Sequence, residues 1–151
     1  PAPMSRVQAA RSDASTDLIE EARDSLQLPL PAALLDRQLR ELLPLCRCLP
    51  GVARIRPLPG GLTGVGDCGL YEGDDGPGLL RVRAWRPGGR LWLSLDGATT
   101  RLQVDLRWRA LAEGCRLELQ LQRSGTAPTA LPLLLRVFSA RLSLWLHGIA
   151  D

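Results

Sequence analysis

Apolar and polar residues alternate along the second half of the chain, from residue 79 to residue 121. The positions between the apolar residues hold mainly arginine, glutamine and acidic side chains. A period of two is typical of an antiparallel sheet with one covered face and one solvated face. The predicted covered face consists of Leu80, Val82, Ala84, Leu91, Leu93, Leu95, Leu102, Val104, Leu106, Trp108, Ala110, Cys115, Leu117, Leu119 and Leu121.

The segment from residue 128 to residue 147 has a different period. Its large apolar residues recur at three- and four-residue steps, which is the spacing of one helical face. Gly148 follows as a residue at which such a helix can end. The predicted face consists of Leu131, Leu134, Leu135, Phe138, Leu142, Trp145, Leu146 and Ile149. We expect this helix to cover the apolar face of the sheet.

Three tight turns pair the alternating strands so that apolar residues stand opposite apolar residues. A slip of one residue in any of them would turn an arginine inward, so the pattern itself selects the register. The turns lie at Gly88-Gly89, Ala98-Thr99 and Ala112-Glu113, and the expected pairs are Ala84 with Leu93, Val82 with Leu95, Leu95 with Leu102, Leu93 with Val104, Trp108 with Leu117 and Leu106 with Leu119.

The first half of the chain supplies the remaining elements. We predict a strand at 24–30, two short helices at 31–39 and 40–49, strands at 52–58 and 65–72, and a loop at 74–78. Residues 16–23 fit a short helix or the start of a strand equally well. The fold class is therefore α+β, with an antiparallel sheet of about seven strands, two short helices after the first strand and one long C-terminal helix. We expect residues 17–151 to form a single domain, preceded by a loose segment at 1–16 whose first three residues are a cloning remnant.

Two stretches carry a resemblance to a known family: Asp24-Ser-Leu-Gln-Leu-Pro-Leu-Pro-Ala-Ala-Leu-Leu-Asp36 and Cys48-Leu-Pro-Gly-Val52. Together with the element order they resemble the helix-grip fold of the START-like (SRPBCC) superfamily, and in particular its carbon monoxide dehydrogenase-related branch. That superfamily also includes polyketide cyclase/dehydrase-like proteins and birch-pollen-allergen-like proteins. This chain has Leu34-Leu35 where the branch often has a tryptophan in the first helix. The resemblance implies a curved sheet wrapped around the long helix, with a cavity between them.

Composition narrows the classes of partner. The net charge of +3 is modest and the arginines are scattered, so we expect no nucleic-acid partner. Cys46, Cys48, Cys68 and Cys115 form no C-x-x-C pair, so the sequence predicts reduced thiols in a cytoplasmic protein, with no metal site and no cofactor. Arginine interrupts the longest apolar runs, and we expect no segment that spans a bilayer.

The few aromatic residues on the predicted apolar faces suggest that leucine alone does not fill the interior. We therefore predict a cavity for a hydrophobic ligand, with space beside Trp108 left by Ala84 and Ala110 and a mouth near 61–65 and 74–78. The predicted ligand-binding residues are Leu93, Val104, Leu106, Trp108, Leu117, Leu134, Phe138 and Leu142. A solid core is the alternative interpretation of the same faces.

Candidates for catalysis are few, because the predicted inner face is almost wholly aliphatic. Asp67 and Tyr71 stand four residues apart and share a face if their segment is a strand, so they are the weak candidates for an acid–base pair. The sequence contains no arrangement typical of a nucleophilic triad or of paired carboxylates. It therefore favours a protein without catalysis, while leaving an enzyme open.

Two features point to contacts outside the domain. Trp85 and Trp92 fall on the solvated face, directly opposite each other if the turn at Gly88-Gly89 is as predicted, and they form a candidate interaction surface. The outer side of the long helix carries Leu133, Val137 and Leu144, which predicts contact with a membrane surface or with a second copy of the chain.

These observations favour a domain that binds or carries a hydrophobic small molecule, such as a lipid, a polyketide or a quinone-like compound, between the sheet and the C-terminal helix. One alternative is an enzyme like the polyketide cyclase/dehydrases. The other is a non-catalytic accessory protein with a solid core and a functional surface.

Overall fold

The computed structural model describes residues 19–57, 64–74, 76–127 and 129–150. Within them a single antiparallel sheet packs against one long helix, as the predicted α+β fold class requires. The elements are β1 (Glu20–Leu28), α1 (Ala32–Arg40), α2 (Leu42–Cys46), β2 (Val52–Pro57), β3 (Cys68–Gly73), β4 (Gly76–Arg86), β5 (Arg90–Asp96), β6 (Thr100–Ala110), β7 (Cys115–Gly125) and α3 (Leu131–Ala150). The loose N-terminal segment predicted at 1–16 lies outside the described residues.

The seven strands lie in the order β1-β7-β6-β5-β4-β3-β2, with every neighbouring pair antiparallel. Strands β2 to β7 form a meander, whereas β1 returns to pair with β7 at the opposite edge. The segment that the sequence left open is therefore strand from Glu20 onward, because its backbone completes the edge of β7. Helices α1 and α2 follow β1, close to the positions predicted for the two short helices.

Two of the three predicted registers are confirmed. Leu93 lies opposite Val104 between β5 and β6, and Leu106 lies opposite Leu119 between β6 and β7. The four side chains are at most 1% exposed. Alternation and short turns are sufficient here, because a shift by one residue would exchange buried leucines for arginines.

The predicted register between β4 and β5 is wrong. Val82 lies opposite Leu93 and Ala84 lies opposite Trp92, instead of opposite Leu95 and Leu93. The reason is a shift in the ladder between Val82 and Ala84, of the kind produced by a β-bulge. A bulge inserts one residue into one strand and reverses which side chains face inward beyond it.

The same shift separates the predicted tryptophan pair. Trp85 lies opposite the buried Leu91, on the inner face, and its ring stacks at a tilt on Trp108 with 5.9 Å between ring centroids. Trp92 stays on the outer face. The prediction that Trp85 and Trp92 stand directly opposite each other on the solvated face is therefore wrong.

Two element boundaries also differ from the predictions. Strand β4 begins at Gly76, inside the loop predicted at 74–78, because Gly78 pairs with Tyr71 of β3. Helix α3 continues to Ala150 and includes Gly148, so this glycine does not end the helix.

The core lies between the inner face of the sheet and the buried side of α3. That side of α3 carries Phe138, Leu142 and Leu146, each fully buried. Helices α1 and α2 contribute further buried leucines at one end, and the carboxylate of Asp36 on α1 accepts a hydrogen bond from the backbone N–H of Gly88 in the β4–β5 turn. The opposite end of the sheet, where β5 turns into β6, is closed less completely.

Candidate functional site

A partly enclosed cavity of about 60 Å³ lies at this second end of the sheet, beneath the beginning of α3. Its walls combine inward leucines of the sheet with the segment before β2, the β3–β4 turn and the first turn of α3. The lining residues are Pro50, Gly51, Val52, Tyr71, Asp74, Leu95, Thr100, Leu102, Arg123, Ala127, Thr129 and Leu134. A single water needs roughly 10–15 Å³ by this measure, so the cavity accommodates a few waters or one end of an apolar ligand.

Arg123 supplies a buried positive charge at the wall of this cavity. It occupies the inward position of β7 that follows Leu121, and it is 4% exposed. Its Nε and Nη2 atoms donate to Oε1 of Glu20 at 3.0 and 2.8 Å, and its Nη1 atom donates to the backbone oxygen of Thr129 at 2.7 Å. Because a buried guanidinium remains charged, these acceptors are what make its position tolerable.

The partner of Arg123 is much more accessible than Arg123 itself. The side chain of Glu20 is 48% exposed and lies at the start of β1, directly opposite Arg123 in the β1–β7 ladder. Water can therefore stabilise the carboxylate but scarcely reaches the guanidinium. The ion pair places its cationic end toward the cavity and its anionic end toward solvent.

Tyr71 forms part of the cavity wall on the β3 side and is 6% exposed. Its ring lies across Gly78 of β4, where a Cβ atom would overlap the ring. Gly78 is therefore needed for Tyr71 to lie flat on the sheet at this point. Asp74 follows in the β3–β4 turn, where its backbone N–H donates to the oxygen of Gly51 at 3.1 Å.

The structure brings Tyr71 to the cavity but not Asp67. Asp67 lies in the turn before β3, and its carboxylate accepts a hydrogen bond from the backbone N–H of Gly64 at 2.7 Å. It is not among the residues that line the cavity, where the carboxylate on the β3 side is that of Asp74. A catalytic role for Asp67 or Tyr71 stays a prediction.

Of the predicted ligand-binding residues, only Leu134 lines this cavity. The other seven are at most 4% exposed and belong to the packed core: Leu93, Val104, Leu106, Trp108, Leu117, Phe138 and Leu142. The space expected beside Trp108 is occupied by the inward-turned ring of Trp85. Contact of these seven residues with a ligand stays a prediction. The buried indole N–H of Trp108 has no hydrogen-bond partner within the described ranges, and a water or ligand that reached it would satisfy that donor.

Trp92 lies on the outer face of the sheet between two arginines. The guanidinium carbons of Arg83 and Arg90 lie 5.8 and 5.4 Å from its ring centroid, and its indole N–H donates to Gln103. Arg90 is held in turn by two hydrogen bonds to the carboxylate of Asp105, at 3.1 and 2.9 Å. The local charges therefore already cover much of this tryptophan, and its role as an interaction surface stays a prediction.

The cysteines lie apart from the cavity, and none of the four forms a disulfide. Cys46 and Cys48 are buried beside α2, and burial, with Cys48 adding to it, raises the pKa of the Cys46 thiol to about 12. A thiol that keeps its proton is a poor nucleophile and a poor metal ligand. Among the residues that the structure describes, no three histidine, cysteine or acidic side chains come together as a metal site would require.

The sequence prediction missed Arg123 and Glu20, although the alternation contains a signal for both. Continuing the period of two beyond Leu121 places Arg123 inward, and continuing it back from Leu28 places Glu20 inward. An arginine at an inward position implies a buried counter-ion. The partner could not be identified from the sequence, because it lies 103 residues away.

Comparisons with known proteins agree on the fold. No family model matches the sequence, and no curated protein matches it significantly. Among solved structures, a norcoclaurine synthase point mutant from Thalictrum flavum, in complex with a transition-state analogue, matches with a TM-score of 0.66 at 7% identity, over 91% of this chain and 100% of that one. An uncharacterized protein from Rhizobium leguminosarum matches with a TM-score of 0.61 at 13% identity, over 89% of this chain and 99% of that one.

A third structure, that of Ara h 8.0201, matches with a TM-score of 0.58 at 13% identity, over 86% of this chain and 93% of that one. These likenesses extend over nearly the whole length of each protein, although the sequences have diverged almost completely. They show that this chain has the helix-grip fold of the START and Bet v 1-like proteins, so the resemblance inferred from the sequence is confirmed for the fold.

Proposed function

We propose that this helix-grip domain binds a hydrophobic small molecule whose polar end accepts hydrogen bonds, with that end in the cavity beneath the start of α3. The observation that carries the proposal is the buried guanidinium of Arg123 in the wall of a mainly apolar cavity. Lipids, polyketides and quinone-like compounds all combine an apolar body with such an acceptor. The absence of disulfides among the four cysteines supports a reducing compartment, and we propose the cytoplasm.

The walls of the cavity favour an apolar body. Leu95, Leu102 and Leu134 face it, together with the side chain of Val52. Removing apolar surface from water contributes about 25 cal/mol per Å², and this term is not directional. The leucines therefore supply affinity for apolar ligands without selecting one of them.

Arg123 supplies the directional contact. A guanidinium has five N–H donors in a fixed plane, and it binds carbonyl and carboxylate oxygens well. Since Glu20 already balances its charge, a neutral carbonyl adds no net charge to the site, whereas a carboxylate would add one near Asp74. The arrangement thus favours a ketone, ester or quinone oxygen over a free acid.

The volume of the cavity limits what binds without rearrangement. Pockets that enclose a whole drug-sized ligand measure about 300–1,000 Å³, which is several times the observed 60 Å³. We therefore expect the cavity walls to separate when a larger ligand enters. Part of its rim is the segment between β7 and α3, where Ala127 and Thr129 lie in no regular element.

The direct test is a titration with 1,4-naphthoquinone and with palmitate, followed by thermal unfolding. A ligand that binds only the folded state raises the melting temperature with concentration. Leu134→Trp fills the cavity and should abolish the shift. Arg123→Met keeps an apolar stem of similar length and should weaken quinone binding about tenfold or more, on the scale of a hydrogen bond to a charged group. Arg101→Met, at an exposed position of β6, is the matched control.

Three outcomes would separate the candidates. Binding that survives Leu134→Trp unchanged would place the ligand outside this cavity. Binding that Arg123→Met leaves unchanged would remove the proposed polar contact but keep an apolar site. No binding by the wild-type protein, with melting temperatures independent of every ligand tested, would favour the accessory protein with a solid core.

An enzyme like the polyketide cyclases is the second candidate, because the hydroxyl-bearing Tyr71 and the carboxylate of Asp74 line the same cavity. A carboxylate and a phenol near a ligand carbonyl could move protons during an aldol-type ring closure. Under this proposal a bound β-polyketone loses water, which mass spectrometry of the ligand detects. Tyr71→Phe should stop that conversion while the thermal shift caused by binding persists.

A further inference from the structure

Helix α3 exposes an apolar stripe on the side that faces away from the sheet. Leu133, Val137 and Leu144 are 48%, 36% and 80% exposed, and the exposed Ala140 lies between them. Steps of three and four residues place all four on one line along the helix. We refer to these four residues as the outer stripe.

Basic side chains border the outer stripe on both sides. Helical geometry places Arg136 and His147 along one border and Arg141 along the other, and all three are exposed. Arg141 also donates to the backbone oxygen of Leu49 at 3.4 Å, which holds it beside the end of α2. Helix α3 contains no aspartate or glutamate. A carboxylate from another element, Glu113, shares a shallow surface depression with His147 at the C-terminal end.

The composition of α3 as a whole agrees with contact with lipid. It is the one helix in the described ranges that is long and apolar enough to cross a membrane, yet only 28% of its most apolar window is buried against the domain. Crossing would require it to leave the sheet, where Phe138 and Leu142 are fully buried and Ser139 donates to the carboxylate of Asp24 at 2.7 Å. A helix that keeps these contacts can meet a membrane only with its outer side.

We propose that the outer stripe docks this domain on the surface of an anionic phospholipid bilayer, with α3 parallel to the membrane plane. An apolar stripe between basic borders is the arrangement of interfacial helices, whose apolar side chains enter the acyl boundary while arginines meet the phosphates. Two copies packed through the same stripe would bring Arg136 and Arg141 toward their own equivalents, with no carboxylate on α3 to oppose them. The stripe is also small beside the approximately 800 Å² that each partner of a stable complex buries.

Docking in this orientation brings the cavity to the lipid, because Leu133 of the stripe and Leu134 of the cavity wall are neighbours in the first turn of α3. A ligand dissolved in the bilayer would then enter beside the N-terminal end of the helix. This last step rests on the proposed function, whereas the docking itself does not.

The test is co-sedimentation of the full chain with vesicles of phosphatidylcholine, alone or mixed with phosphatidylglycerol. We expect binding to the anionic vesicles that weakens as salt increases, since exposed charges are screened. Leu144→Gln should reduce the partition coefficient about tenfold, and Arg136→Gln about fivefold, from the usual contributions of a leucine and of an arginine at an anionic surface.

Two matched controls change the same chemistry elsewhere. Leu70→Gln removes another exposed leucine, on the outer face of β3, and Arg109→Gln removes another exposed arginine, on β6. Both should bind vesicles as the wild-type protein does. Circular dichroism and melting temperature verify that all four variants fold, which is expected because each position is exposed.

The proposal is overturned if anionic vesicles do not bind the wild-type protein, or if the stripe variants and the control variants lose binding equally. It is also overturned if the protein forms a dimer in solution that Leu144→Gln dissociates, because the occupant of the stripe is then a second copy. The quinone titration is carried out without vesicles, so failure of the cavity and failure of the docking surface remain distinguishable.

Discussion

Neighbouring inward positions of β7 are made tolerable in different ways. Leu119 is 1% exposed and lies opposite Leu106, so it contributes through burial alone. Arg123 occupies an equivalent inward position two pairs further along, where it depends on Glu20 and Thr129 for acceptors. Because position alone does not decide the chemistry, each inward residue has to be evaluated together with its partners.

Substitution of adjacent residues on β7 tests which face is inward. Leu119→Asp places a carboxylate in the packed core and should lower the free energy of unfolding by about 3–5 kcal/mol, the usual effect of an unpaired buried charge. Glu118→Ala, on the exposed face, should change it by at most about 0.5 kcal/mol. Urea denaturation measures both, and effects of similar size would contradict the register between β6 and β7.

At the scale of elements, β1 is held to the rest of the domain by polar contacts as well as by its ladder with β7. Glu20 pairs with Arg123 of β7, and Asp24 accepts a hydrogen bond from Ser139 of α3. Both residues occupy inward positions of an edge strand, where α3 covers the sheet incompletely. Charged side chains at these positions also disfavour pairing of the edge with another chain.

The two ends of the Glu20–Arg123 ion pair should respond differently to substitution. Glu20→Ala leaves a buried guanidinium without its counter-ion and should lower the free energy of unfolding by about 2 kcal/mol or more. Arg123→Met replaces the charge by an apolar side chain and leaves a carboxylate that water can reach, so we expect a change within about 1 kcal/mol.

Glu21→Ala is the control for this pair, because Glu21 is exposed on the outer face and bonds to Arg23. It should change the free energy of unfolding by at most about 0.5 kcal/mol. Urea denaturation at neutral pH measures all three variants. A larger loss for Arg123→Met than for Glu20→Ala would mean that the ion pair itself, and not the burial of the cation, determines the effect.

At the scale of the whole molecule, α3 serves both the interior and a surface. Its inner side completes the core with Phe138, Leu142 and Leu146, while its outer side remains apolar and uncovered. A helix with these two properties could separate from the sheet only by exposing the core. We therefore expect α3 and the central strands to unfold as one cooperative unit.

Hydrogen exchange measures this cooperativity directly. Backbone amides of residues 135–146 in α3 should have opening free energies within about 1 kcal/mol of those of residues 117–121 in β7. Ser139→Ala, which removes the bond to Asp24, should lower both values together. Opening of α3 at several kcal/mol below β7 would instead identify α3 as a separable element.

The sequence by itself determined the architecture, because periodicity is a local property. Leucines at alternate positions of β5, β6 and β7 specify which face is buried, and leucines at helical spacing in α3 specify what covers it. The same patterns, with the short turns, fixed two registers of the sheet and led to the helix-grip fold. Continued through Arg123, the alternation also contained the main polar residue of the candidate site.

Only the tertiary structure decided where space remains inside. The bulge between Val82 and Ala84 turns Trp85 against Trp108 and fills the centre of the predicted cavity. The remaining cavity lies at the other end, among segments distant in the chain, and its cation depends on Glu20, 103 residues before it. Packing and ion pairing depend on such non-local contacts, whereas a periodic pattern specifies only the face on which each side chain lies.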